Sequence, residues 1–241
     1  GTGPFKLKEW VKGSYIQLTA NEDYHVPGVP SVKDVYFHVI PDAASRAAAF
    51  ESGKVDVVPG GAVEFFDVKR LSELPGVSVT TKGWEFFAPQ SWLWLNNRRK
   101  PFDNPKFRQA IMWALDREAM AKIAWHGYAK PAMGPLNSSV KFYTEKVTHY
   151  KRDLNKAKAL IKESGYNGQV LKLLPMPYGE SWMRIAEIIR QNLMQAGIKV
   201  EMVSTDVAGW NSRLNDWDFD MSTTYVFQYG DPALGVARNY I

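Results

Sequence analysis

Residues 170–203 read VLKLLPMPYGESWMRIAEIIRQNLMQAGIKVEMV. Val170–Leu174 is a short apolar run of the kind that forms a buried strand. Ser181–Gln195 then carries Trp182, Ile185, Ile189 and Leu193 on one helical stripe, continued by Ala196. Gly197 stops the helix in the left-handed conformation that glycine adopts cheaply. Ile198–Val203 is a second strand. Strand, helix, strand with short connections predicts two parallel strands joined by a right-handed crossover.

The same alternation extends on both sides. Upstream, Asp153 can cap a helix over Leu154–Ser164, with Gly165 as its stop. Downstream, Asp206 opens a helix to about Asn215, and Phe219–Phe227 is a last strand broken by Gly230-Asp231-Pro232. Further upstream, Trp92–Asn96 is extended. Asn104-Pro105 then starts a helix, because proline at the first helical position gives up an amide that would be unpaired anyway. Phe107, Ala110, Ile111, Ala114, Leu115, Ala119 and Ile123 share a stripe, which predicts one long amphipathic helix ending near Gly127. Residues 128–150 have no period and read as an ordered loop.

The first part of the chain is richer in strands. Phe5–Val11 and Tyr15–Ala20 flank the hairpin signal Lys12-Gly13-Ser14, and Val32–Ile40 alternates as a third strand. Asp42 caps a helix over Ala43–Glu51, ended by Gly53. Val55–Val58 and Val77–Thr81 read as short strands on either side of a helix over Val63–Leu74, which Pro75-Gly76 stops. The pattern predicts two regions, both α/β in class.

Composition narrows the function. The 241 residues are 45% hydrophobic and 23% charged, an ordinary globular balance. Cysteine is absent, which removes disulfides, thiolate zinc sites and thiol nucleophiles. No apolar run reaches the roughly 18 residues of a membrane span. The opening GTGPFKLKEW has no basic segment followed by an apolar one, so it does not read as a signal peptide. Net charge is +5, but the basic residues are interleaved with acids, and the densest run, Arg98-Arg99-Lys100, falls in a turn. That run reads as solvated surface, and no nucleic-acid partner is expected.

Signals for covalent chemistry are missing. His25, His38, His126 and His149 lack metal-ligand spacing, and no GxSxG elbow or phosphate loop occurs. Gly1–Pro4 and Pro59-Gly60-Gly61 read as plain turns. Distant carboxylate pairs such as Glu85 and Glu180 carry no positive signal for glycosidase work. No catalytic residue, metal or cofactor is expected, and an α/β hydrolase is the remote alternative. Aromatic residues make up 13% of the chain and gather near strand ends, where ligand clefts of α/β folds lie. Trp94, Tyr178, Trp210, Tyr225 and Phe227 are the candidates. Trp182 lies on a helix stripe and reads as core; Trp210 is open between core and cleft.

Several blocks carry a family resemblance. They are GTGPFKLKEW at Gly1–Trp10, PDAASRAAAFESGKVDVVP at Pro41–Pro59, LNNRRKPFDNPKFRQAIMWALDR at Leu95–Arg117, GYAKPAMGPL at Gly127–Leu136, LNKAKALIKESGY at Leu154–Tyr166, AGIKVEM at Ala196–Met202, and the turn Gly230–Pro232. In this order and spacing they resemble successive signatures of the oligopeptide, dipeptide and nickel solute-binding proteins of ABC importers.

The resemblance implies a class II periplasmic-binding-protein-like fold that closes on its ligand by hinge motion. Residues 1–91 would be the strand-rich part of a first lobe, 92–228 a second α/β lobe, and 229–241 a return to the first. Trp92–Asn97 and Met221–Gln228 would be the crossing strands, with the ligand near them. Trp94, Asn96, Tyr178, Trp210, Tyr225, Phe227 and Gln228 would be ligand-binding. It further implies no enzyme, a small-molecule or peptide ligand, delivery to an ABC permease, a monomer and a periplasmic location. Members are about twice as long, so the chain reads as a fragment. Peptide-binding members carry an amine-pairing aspartate where this chain has Gln228. A neutral amide cannot replace that charge. A carbohydrate, an opine-like conjugate, a modified peptide or a metal chelate therefore stays open beside a peptide.

Overall fold

The computed structural model describes residues 1–240, except the side chain of Arg238. The chain divides into two compact units, Gly1–Val77 and Ser78–Ile241.

In the first unit, β1 (Phe5–Val11), β2 (Tyr15–Ala20) and β3 (Asp34–His38) form an antiparallel sheet in that order. Cross-strand pairing places Leu7 opposite Leu18 and Leu18 opposite Val35. Ile16 sits between Trp10 and Phe37. Because side chains alternate along a strand, this register puts Leu7, Trp10, Ile16, Leu18, Val35 and Phe37 on one face. Two helices follow, α1 (Ala43–Glu51) and α2 (Phe65–Ser72). The Asp42 carboxylate accepts from the Ser45 amide at 2.7 Å, so the cap is the one the sequence predicts. The strands expected at 55–58 and 77–81 do not form. The amides of Lys54 and Val55 donate back to Ala49 O at the end of α1, so the chain there is still closing the helix.

The second unit is built on a mixed sheet of order β4-β7-β5-β6. Its strands are β4 (Gln90–Leu95), β5 (Leu171–Leu174), β6 (Val200–Met202) and β7 (Met221–Val226). Strand β5 is parallel to both β6 and β7, while β4 is antiparallel to β7 from Gln90↔Val226 to Leu95↔Met221. The predicted crossover is present: α6 (Glu180–Gln195) joins β5 to β6. The other helices are α3 (Pro105–Ala114), α4 (Arg117–Ala124), α5 (Leu154–Glu163), α7 (Val207–Asn215) and the short α8 (Pro232–Gly235).

The long helix expected from Pro105 to near Gly127 is two helices. Leu115 is extended, with φ −76° and ψ 128°, and Asp116 caps α4 by accepting from the Ala119 amide at 3.0 Å. Asn192 on α6 secures the break, its Oδ1 accepting from the Asp116 amide at 2.7 Å. Aspartate stabilises a helix start better than a helix interior, and that local preference overrides the stripe. The break re-aims α4, and Ile123, which a continuous stripe would bury, is exposed.

One core fills the side of the sheet carrying Leu171, Leu173 and Met221. Phe107, Ala110, Ile111 and Ala114 of α3 pack there with Ile185, Ile189 and Leu193 of α6. A smaller cluster joins Leu174, Met176, Trp210 and Phe219, with Trp94 and Tyr225 packed against it.

Candidate functional site

Strands β5, β6 and β7 all end on one edge of the sheet, and antiparallel β4 begins there. The chain segments at this edge are 84–90, the 128–150 loop, Pro175–Gly179 and Phe227–Gly230. Past Val226 the backbone stays close to the segment before β4, with the Gln228 amide donating to Phe87 O at 2.8 Å. Successive side chains of an extended chain leave on opposite faces. Phe227 therefore follows Tyr225 to one side, and Gln228 follows Val226 to the other.

On its side, Gln228 is 0% exposed. Its Nε2 donates to Gln90 Oε1 at 2.7 Å and to Pro135 O at 3.2 Å, and its Oε1 accepts from the Asn137 amide at 2.9 Å. Gln90 Nε2 donates to Gly134 O at 2.7 Å. The two amides thus fasten Gly134–Asn137 across the ends of β4 and β7. Both hydrogens of the Gln228 amide are consumed. Arg117, at the start of α4, donates to the carbonyls of Ala132 and Tyr150 and holds both flanks of the loop. Burial lowers the Arg117 pKa from its ordinary value. The 128–150 segment has no helix or strand, and these bonds order it.

On the other side lies a run of rings. Tyr225 and Phe227 are 4.9 Å apart between centroids. Tyr225 meets Trp182 of α6 at 5.9 Å, and Trp182 meets Trp125 at 5.9 Å. In the other direction Phe227 meets Phe87 at 5.6 Å and Tyr229 at 5.9 Å, and both of those meet Phe86. Most pairs are tilted or edge-to-face, the arrangement that ring quadrupoles favour. Tyr225, Phe227 and Tyr229 are part-buried; Phe86 is 58% exposed.

The remaining predicted site residues divide by location. Tyr178, in the loop before α6, is 46% exposed, its ring 6.1 Å from Trp210. Trp210 itself is 6% exposed, and its indole N–H donates to Ser222 Oγ at 3.2 Å. Ser222 Oγ in turn donates to Leu174 O at 2.9 Å, so Trp210 belongs to the packed interior. Trp94 lies part-buried against the same cluster. Asn96 is 1% exposed at the opposite end of the β4–β7 pair, on the order of 20 Å from Gln228 by strand rise. Its Nδ2 donates to Trp217 O and Phe219 O at 3.1 and 2.8 Å, and its Oδ1 accepts from the Arg98 amide. Asn96 ties the far strand ends together.

Tyr225 and Phe227 are thus brought together with Trp182, which the helix stripe alone assigned to the core. Phe86, Phe87 and Gln90 were not singled out by sequence reasoning. The signal was the aromatic run Trp84-Glu85-Phe86-Phe87 just before β4, which antiparallel pairing with β7 must bring beside Phe227–Tyr229.

Charged groups flanking the rings are engaged locally. Glu180 pairs with Arg184 at 2.8 Å, Asp231 caps α8 through the Ala233 amide, and Glu85 accepts from the Gly83 amide. Among the described residues no group of three or more His, Cys, Asp or Glu could hold a metal ion. A polar hollow lined by Lys100, Asp103, Asn104, Ser164 and Gln169 lies at the other edge of the sheet.

The model of the bacterial extracellular solute-binding proteins, family 5 Middle, matches residues 1–240. The chain belongs to this solute-binding family. Relatives of the family 5 chain include the glutathione-binding protein GsiB of Pectobacterium atrosepticum, 29% identical over 207 residues, which span 86% of this chain and 39% of that protein. Similar solved structures include the periplasmic binding protein DppA from Helicobacter pylori in complex with the peptide STSA. It is 28% identical, with a TM-score of 0.81 over 93% of this chain and 43% of that one. AgaA from A. tumefaciens R10, in complex with agropinic acid, is 27% identical, with a TM-score of 0.81 over 94% of this chain and 46% of that one. The fold is therefore that of class II periplasmic binding proteins, as the sequence blocks imply. This family 5 chain spans less than half the length of these three proteins. Among its described residues no helix is long and apolar enough to cross a membrane.

Proposed function

We propose that the protein is the substrate-binding component of an ABC importer. It captures a peptide or related small solute at the strand-end face of the Ser78–Ile241 unit and passes it to a membrane permease in the periplasm. The observation that carries this reading is the part-exposed ring array of Tyr225, Phe227 and Phe87 at the C-terminal edge of parallel strands, within a family 5 chain. Of the named relatives, GsiB is described as binding glutathione, and DppA and AgaA are seen with a peptide and with agropinic acid.

In this reading 92–228 form one lobe of the full-length protein, and 1–91 with 229–241 belong to the other. Tyr178, Tyr225 and Phe227 face the ligand. Trp94 and Trp210 support that face from the packed side, Gln228 fastens the adjoining loop, and Asn96 holds the distant strand ends. No bond of the ligand is made or broken, and the protein acts as a monomer.

The test is a thermal-shift screen of the full-length protein with small solutes, followed by mass analysis of each stabilising compound after incubation. A binding protein raises its melting temperature with ligand concentration and returns the ligand unchanged. Conversion of the compound to product would overturn the reading.

A further inference from the structure

We infer that Asn167-Gly168, in the turn between α5 and β5, is a site of spontaneous covalent modification. The asparagine amide is lost there, and aspartate and isoaspartate form. The site does not depend on what the strand-end face binds.

The side chain is placed for the reaction. Asn167 is exposed and lines the polar hollow with Lys100, Asp103 and Gln169, so water reaches it. Its Oδ1 accepts from the Gln169 amide at 3.2 Å. This turn folds the side chain back along its own backbone, beside the Gly168 nitrogen, and the hydrogen bond draws charge onto Oδ1.

The nucleophile is open. Gly168 carries no Cβ to shield its nitrogen, and its φ of 87° is one that glycine adopts without strain. Among the described residues no acceptor holds its amide hydrogen. Lys199 Nζ stands 4.0 Å from the place that a Cβ on Gly168 would occupy. A cation so close favours the deprotonated nitrogen and the oxyanion of the addition step.

The atoms balance with water as the only co-reactant. The Gly168 nitrogen gives up its proton to solvent and attacks Asn167 Cγ. The N–Cγ bond forms, the Cγ–Nδ2 bond breaks, and Nδ2 leaves as ammonia with a proton from solvent. Water then opens the cyclic imide. Opening at the side-chain carbonyl gives aspartate. Opening at the backbone carbonyl gives isoaspartate, whose main chain runs through the former side chain and is one methylene longer. That extension falls inside the span clamped by the Tyr166 hydroxyl, which accepts from the Lys199 amide and donates to Gln169 O.

Asn137 is the internal comparison. Its Oδ1 accepts from the Ser139 amide at 3.0 Å in the same kind of turn, but Ser138 follows it, and that Cβ hinders the nitrogen.

The experiment ages the full-length protein, folded and in denaturant, at mildly alkaline pH. Mass spectrometry then reads the tryptic peptide Glu163–Lys172 and the peptide holding Asn137. Folded protein should lose the Asn167 amide, with the mass shift of an amide-to-acid exchange and two separable isomers, while Asn137 stays intact. The rate should rise with pH. Gly168→Ala should slow it by about tenfold, which is about 1.4 kcal/mol of barrier. Alanine is strained at this φ, so Asn167→Gln, which leaves the backbone alone, is the second variant and should abolish the conversion. An Asn167 that keeps its amide in the folded protein while the denatured chain converts would overturn the inference. So would conversion of Asn137 as fast as Asn167, or of Asn167→Gln as fast as the parent.

Discussion

Gln228 Nε2 donates to Gln90 Oε1 at 2.7 Å, and together these two amides bind three backbone groups of Gly134–Asn137. The pair joins the end of β7 to the start of β4 and fastens the 128–150 loop over both. A neutral amide suits this place because it must donate and accept at once. A carboxylate would face Gln90 Oε1 and Pro135 O with no proton to give.

Gln228→Leu should therefore cost stability. It leaves the Asn137 amide and the Pro135 carbonyl without this partner in a buried setting, a loss of about 2–4 kcal/mol. Denaturant unfolding measures it, and hydrogen exchange should show faster opening of 134–137 than of α6.

Gln228→Glu should make stability fall as pH rises. Burial, with the Asn137 amide as donor but with Gln90 Oε1 and Pro135 O also facing the group, favours the neutral acid that can give a proton to one of those oxygens, so the folded-state pKa lies above the unfolded one. Between the two the folded state holds more protons, and unfolding becomes easier with increasing pH. Melting curves of variant and parent should converge near pH 4 and separate toward pH 7.

Glu187 gives the opposite sign. Hydrogen bonding from Arg190, at 2.6 Å, with help from Gln191, lowers its pKa from 4.5 to about 2. Its contribution is present above about pH 4.5 and is lost as pH falls toward 2. The pair is partly solvated, so Glu187→Gln should change the melting temperature by only about one degree near neutrality. The variant should also lose that part of the acid sensitivity.

Phe107→Ala should be the most damaging of these changes. The ring is fully buried, edge-on to Phe102 at 5.5 Å and near Tyr166 at 5.4 Å. Removing it leaves a cavity beside Phe102 and Tyr166, worth about 3–5 kcal/mol in chemical denaturation.

The fold was legible where short-range rules suffice. The stripe of α6, its stop at Gly197 and the parallel pairing of Leu171 with Val200 all follow from spacing and connection length. The break at Leu115-Asp116 was not legible as a break, because a helix stripe and a capping aspartate compete locally and Asn192, far away in sequence, settles the outcome. The short strands at 55–58 and 77–81 failed because a strand exists only where a neighbour pairs with it. At the candidate site, the strand end put Tyr225 and Phe227 among the candidate residues, and their rings lie 4.9 Å apart. Whether Gln228 faces outward or is sealed depended on a loop some 90 residues earlier, which no periodicity describes.

The most direct measurement is a crystal structure of the full-length protein with its bound solute. An unmodified small molecule should lie against Phe227 and Tyr225, with Gln228 still bonded to Gln90. A ligand held through the Gln228 side chain, or bound away from this strand edge, would contradict it.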